Sequence, residues 1–255
     1  MGSATDADLT IPARYNGPAK SGNGGYAAGV LADRVPDQGN DLVEVTLRLP
    51  PPLDVAMQVL HEPTDEGAAT TRLSLAGDTV AEARAVHREL TPVDAVSVAQ
   101  ATEAMAGFAG RESHPFPTCF GCGPEREEGD GLRIFPGPVG EGRVAALWLP
   151  HRDLAESSDL LDHGVQRVGV GVGWAALDCV GGWAGDIGGR RMVLGRMTAG
   201  IDALPVVGEP HVVVGRQLGT EGRKTFTAST LYDSDGRIVA RAEHVWIAVD
   251  PADFN

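Results

Sequence analysis

The sequence predicts an α+β protein of two tandem units, each a curved antiparallel sheet wrapped round one long helix. Three observations carry this reading. Runs of alternating apolar and polar residues, punctuated by turn residues, recur in both halves of the chain. Each half holds one helical stretch dominated by Ala, Gly and Val, at residues 24–35 and 165–183. In both halves the helix comes first and the strands follow. A chain of 255 residues with 42% apolar content fits one large domain or two of roughly 125 residues each.

The first clear strand is 42–49, where Val43, Val45, Leu47 and Leu49 alternate with Glu44, Thr46 and Arg48 until Pro50-Pro51-Pro52 stops it. Strands 57–61 and 69–75 flank the turn Asp65-Glu66-Gly67, and strand 80–86 follows Ala76-Gly77-Asp78. Such turn chemistry marks an antiparallel meander. The second half repeats the plan. Strand 191–201 is followed by 212–217 and Lys224–Tyr232, which flank Thr220-Glu221-Gly222, and by 238–249 after Asp233-Ser234-Asp235-Gly236. Gly67 stands 17 residues before Arg84 and Gly222 stands 19 before Arg241, the difference a longer second hairpin would give.

The small side chains of both helices suit close wrapping by a sheet. Gly169, Gly171 and Gly173 weaken the start of the second helix, so its firm part is expected at 173–180. A short helix is expected within 93–105, and residues 113–118 read as a linker. The boundary is therefore placed near residue 112. The first unit is 1–112, with 1–10 loose and 91–112 connecting, and the second is 113–255 with a loose tail after Asp250-Pro251.

A net charge of −14 argues against binding nucleic acid or an anionic membrane surface, both of which need a basic face. No stretch approaches the roughly 20 apolar residues that span a bilayer. The segment Met1–Asp8 lacks the basic and apolar regions of a secretory signal, so a soluble cytoplasmic protein is expected. Three cysteines make no disulfide framework. Cys119-x-x-Cys122 has the spacing of half a zinc site but no second pair, with His114 and Cys179 the other soft candidates nearby. The reading is a structural turn with Phe120 packed inward, and no metal centre. No Gly-x-Ser-x-Gly elbow and no phosphate-binding Gly-x-x-x-x-Gly-Lys loop is present.

Two segments carry candidate chemistry. Asn23-Gly24-Gly25-Tyr26 starts the first helix, where the leading N–H groups lack intrahelical partners and the helix dipole favours negative charge. Asp178 lies in the apolar stretch Trp174-Ala175-Ala176-Leu177-Asp178-Cys179, where burial would raise its pKa and make it a base or nucleophile. The plainer alternatives are a turn that only begins a helix and an Asp that caps or pairs with Arg.

Asn23-Gly24-Gly25-Tyr26 before a small-residue helix resembles the helix start of acyl-CoA thioesterases of the hot-dog superfamily. Cys119-Phe120-Gly121-Cys122-Gly123-Pro124, followed by Gly131-Leu132-Arg133-Ile134, resembles the entry segment of thioesterase-like proteins in the phenylacetate-pathway group. The resemblance spans nearly the whole chain and implies a tandem (double) hot-dog fold. Many such thioesterases have His before the Gly-Gly. Asn23 can orient a carbonyl or a water but is no base, which leaves Asp178 to activate water.

The expected site is thus Asp178 and Asn23 with the Gly24 and Gly25 amides holding the oxyanion. Tyr26, Arg223 and Lys224 would contact the substrate, the basic pair through the phosphates of coenzyme A. Arg190-Arg191 offers a second basic pair, Asp33 a competing acid, and His163 an assisting residue. No cofactor is expected beyond the coenzyme A of the substrate, and assembly would be a homodimer of double units. The alternatives are a non-catalytic acyl-CoA or acyl-ligand binder and, third, an enoyl-CoA hydratase or dehydratase, which the absence of a helix-start His disfavours.

Overall fold

The structure, a computed structural model, describes residues 4–5, 7–36, 42–63, 69–156 and 164–250. The expected turn Asp65-Glu66-Gly67, His163 and the tail beyond 250 lie outside them, as do residues 1–3 and 6 of the expected loose N-terminus.

The first half runs β1 (Ala4–Thr5), β2 (Leu9–Thr10), α1 (Gly24–Ala32), β3 (Leu42–Leu47), β4 (Ala56–Glu62), β5 (Thr70–Leu75) and β6 (Asp78–Val86). A connecting helix α2 (Val98–Ala104) follows, capped by Ser97, whose hydroxyl accepts from the Gln100 amide. The second half runs β7 (Gly137–Gly140), β8 (Arg143–Trp148), α3 (Val170–Ala184), β9 (Met192–Ile201), β10 (His211–Glu221), β11 (Lys224–Tyr232) and β12 (Ile238–Ala248).

The strands form a sheet in the order β1-β4-β5-β6-β3-β9-β12-β11-β10-β8-β7, with β2 also paired to β4. All of these pairings are antiparallel. Outward from the β3–β9 seam the four strands after each helix follow the same order on both sides, with β1 beyond them on one side and β8 then β7 on the other. The strand after each helix is central, the fourth, third and second follow, and a strand from before the helix closes the edge. At the seam Val43 pairs with Ala199 and Val45 with Met197.

The two helices pack on each other, and their small residues are explained by that contact. A Cβ at Gly29 would stand 2.7 Å from the Trp174 Cβ and 2.8 Å from the Gly171 Cα, inside van der Waals contact. Leu31, Ala175, Ala176, Leu177 and Val180 are fully buried in the core between helices and sheet. A second, smaller core lies where residues of the connecting segment cover β8, β10 and β11: Val93 and Ala101 pack with Val212, Val214, Ala228 and Tyr232. The Tyr232 hydroxyl donates to the Val93 carbonyl at 2.6 Å, and the Val93 amide donates to Thr230 Oγ1 at 2.9 Å.

Four expectations need correction. Helix α3 is continuous from Val170, because Gly171 seats the Tyr26 ring and Val30 of α1 and this packing outweighs glycine's low propensity. Helix α1 ends at Ala32, with Asp33 as its C-cap. The N-terminus is not loose throughout: Leu9 pairs with Met57 and is buried. Strands β7 and β8 were not anticipated. Their sequence, Gly137–Gly140 and Arg143–Trp148, is short and lacks strict alternation, and β8 is recognised by its ladders with β10 and β7.

Candidate active site

The site lies where the start of α1 meets the middle of α3. Asn23 is the N-cap of α1, and its Oδ1 accepts from the Tyr26 amide at 2.8 Å, the bond that helix starts favour. Its Nδ2 donates to Asp178 Oδ2 at 2.9 Å. The same carboxylate oxygen accepts the Gly25 amide, also at 2.9 Å. Asp178 Oδ1 is buried and makes no hydrogen bond among the described residues. The residue is 2% exposed. Burial, only partly offset by the Gly25 and Asn23 bonds, pushes the Asp178 carboxyl up to about 7.

Asp178 is among the residues that line a cavity of about 300 Å³. Its walls include Asn23, Gly24, Asp178 and Cys179, the apolar side chains of Leu47, Trp183, Met192, Leu194 and Trp246, and Arg48. Such a mostly apolar cleft with a few convergent polar groups is the usual form of a small-molecule site.

The structure brings four of the expected residues together: Asn23, Gly24, Gly25 and Asp178. It changes the work two of them can do. The Gly25 amide is bonded to the carboxylate, so it is not an open oxyanion donor. The Asn23 amide caps the helix and holds Asp178, so it is not free to orient a carbonyl. The Gly24 amide carries neither bond, and Gly24 lines the cavity.

Tyr26, Arg223 and Lys224 do not line the cavity. The Tyr26 ring stacks on Tyr15 with centroids 3.7 Å apart and meets Phe120 edge-on, and burial raises its pKa. Arg223 donates from Nε to the Ala248 carbonyl at 3.2 Å, and Lys224 is exposed at the start of β11. The cavity's cation is Arg48, which sequence reading took only as a polar strand residue. Its Nε and Nη2 donate to Glu82 Oε2 at 3.1 and 2.8 Å. Asp33, the competing acid, is exposed.

The sequence named Cys179 as a soft candidate beside the Cys119-x-x-Cys122 turn but read the turn as structural. The fold brings them together: the three sulfurs lie within 4.8 Å of one another, and Cys119 Sγ and Cys179 Sγ are 3.6 Å apart. Asn23 Nδ2 reaches both, at 3.7 and 3.8 Å. Hydrogen bonds from the Cys122 and Cys179 thiols hold the Cys119 thiol well below its ordinary pKa. Burial raises Cys122, and the bond to Cys119 raises Cys179. Phe120 is buried, as the turn reading expected.

No family model and no curated protein sequence matches the chain. Solved structures do resemble it. A tesB protein from Mycobacterium avium subsp. paratuberculosis aligns over 96% of this chain and 92% of its own, with 14% identity and a TM-score of 0.60. An acyl-CoA thioesterase II from Mycobacterium marinum aligns over 97% and 94%, with 12% identity and a TM-score of 0.59. A conserved hot-dog protein from Alicyclobacillus acidocaldarius aligns over 98% and 96%, with 14% identity and a TM-score of 0.54. The chain therefore has the hot-dog fold, and its structural neighbours include thioesterases along nearly their whole length. No helix among the described residues is long and apolar enough to cross a membrane.

Proposed function

We propose that this chain is an acyl-CoA thioesterase-like hydrolase on a tandem pair of hot-dog units that meet near residue 112. One observation carries the reading: the buried Asp178 carboxylate is held by the start of the opposite helix, and Asp178 lines the cavity. The symmetric strand order on either side of the β3–β9 seam supports the tandem arrangement.

In this mechanism Asp178 takes a proton from a water as its oxygen adds to the thioester carbonyl carbon. The Gly24 amide, at the positive end of α1, donates to the oxygen that becomes negative. The carbon–sulfur bond then breaks, and the thiolate regains a proton from the Asp178 carboxyl. Gly25 and Asn23 fix the direction of the carboxylate and contact no substrate. Asp178→Asn keeps an acceptor for both donors, so the fold should survive. Its turnover should fall by about 10²–10⁴, the scale of one general base. Thiol release from a panel of acyl-CoA substrates measures this, and unchanged hydrolysis would remove Asp178 from the reaction.

A second reading, an acyl-ligand binder without turnover, is favoured by the bonding of the Gly25 amide, which leaves a single helix-start donor at the cavity. Calorimetry showing tight acyl-CoA binding by wild-type protein that releases no thiol would establish it over hydrolysis.

A further inference from the structure

We propose that Cys119, Cys122 and Cys179 form a binding site for a thiophilic divalent cation of the zinc class, its fourth position left to a water or ligand from the cavity. The inference does not depend on the hydrolase reading.

The geometry suits such an ion. With a Zn–S bond of about 2.3 Å, tetrahedral thiolates stand about 3.8 Å apart. The observed 3.6 Å between Cys119 and Cys179, with all three sulfurs inside 4.8 Å, needs only small adjustment. The sulfurs come from two separate segments fixed by the fold. Cys119 and Cys122 sit on a tight turn closed by the Gly123 amide donating to the Cys119 carbonyl at 2.8 Å. Cys179 comes from the middle of α3. A Cβ at Gly121 would stand 2.5 Å from Cys179 Sγ, so only glycine lets the turn approach that sulfur.

Polar donors converge on the three sulfurs. Asn23 Nδ2 reaches the Cys119 and Cys179 sulfurs. His114 Nδ1 accepts the Phe116 amide at 2.9 Å, which in the neutral ring leaves the proton on Nε2, 3.3 Å from Cys122 Sγ. His114 is thus a donor to a sulfur, and outer hydrogen bonds of this kind orient ligands and offset their charge. Three protein ligands beside a cavity leave a coordination position open. Soft thiolates in a compact set select zinc-class ions over hard cations.

The test is an anaerobic cobalt(II) titration of reduced, chelator-treated wild-type protein. The expected result is one cobalt per chain, with a thiolate-to-cobalt charge-transfer band, visible bands of tetrahedral strength, and bleaching of both by one equivalent of zinc(II). Cys122→Ser and Cys179→Ser should each weaken binding by about tenfold or more, since losing even a group that hydrogen-bonds a ligand costs about 10–100-fold. Circular dichroism checks that these variants fold, and the wild-type spectrum stands without them. A spectrum with no charge-transfer band while all three thiols titrate as free would overturn the proposal. So would isolation of the protein with two of the thiols joined as a disulfide that persists under mild reductant.

Discussion

The Gly25 amide donates to Asp178 Oδ2 at 2.9 Å, and a Cβ at position 25 would fall inside the Asp178 side chain and 2.9 Å from the Trp174 carbonyl. Helix contact and carboxylate position are therefore one structural fact. Both helices are packed against neighbours, so neither can retreat freely. Gly25→Ala should destabilise the fold by about 1–3 kcal/mol, the usual range for an added methyl in a filled core. It should also reduce thioester turnover, because the carboxylate must move. Urea unfolding with a thiol-release assay measures both. A stable variant with full turnover would show that the two helices separate more easily than their packing implies.

Asn23 joins the cap of α1 to the carboxylate of α3. Asn23→Ala removes a cap, which typically costs about 1 kcal/mol. It also deletes one of the two donors to a buried carboxylate, which adds about 1–3 kcal/mol when that group is left short of a partner. The combined loss should exceed that of Asn23→Ser, which restores a capping oxygen. Thermal unfolding of the two variants side by side checks the order.

His244 supplies a pH dependence. It is buried on β12 with Nδ1 3.2 Å from Thr227 Oγ1, and Nε2 has no partner among the described residues. Burial lowers its pKa to about 4 from an ordinary 6.5. A His depressed in the folded state makes the unfolded chain the better proton binder between these values. Above about pH 6.5 both states are neutral and nothing is lost. As pH falls from 6.5 towards 4 the fold loses up to about 3 kcal/mol at this residue. Asp178 moves the other way, so the test is differential. Relative to His244→Gln, wild-type stability should decline across that acid window, measured by urea unfolding at a series of pH values.

The cations can be separated by KM. Arg48 lines the cavity, while Arg223 and Lys224 do not. Arg48→Ala should raise KM for an acyl-CoA substrate, and Arg223→Ala with Lys224→Ala should leave it unchanged. The opposite ranking would return the phosphate contacts to the Gly222 turn.

Much of the architecture was legible because strand and helix periods are local properties. The strand Lys224–Tyr232 and the starts of β3 and β12 are read from alternation and turn residues alone. Residues 170–172 of α3 were read only as a weak helix start, because their firm helical state depends on Tyr26 and Val30 from the other helix. Asp178 could be singled out as an acid in an apolar stretch, and Asn23-Gly24-Gly25 as a helix start. Their roles could not be divided, because which amide meets the carboxylate is set by how α1 crosses α3.

The sequence by itself determined the fold class, the two helices that carry the site, and the segments where its polar groups sit. Only the tertiary structure decided that the Gly25 amide is bonded, that Arg48 and not the 223–224 pair reaches the cavity, and that Cys179 joins Cys119 and Cys122. Residues 60 positions apart in the chain have no spacing rule between them. Their meeting depends on where a whole helix lies against a loop, and that is settled by packing across the molecule.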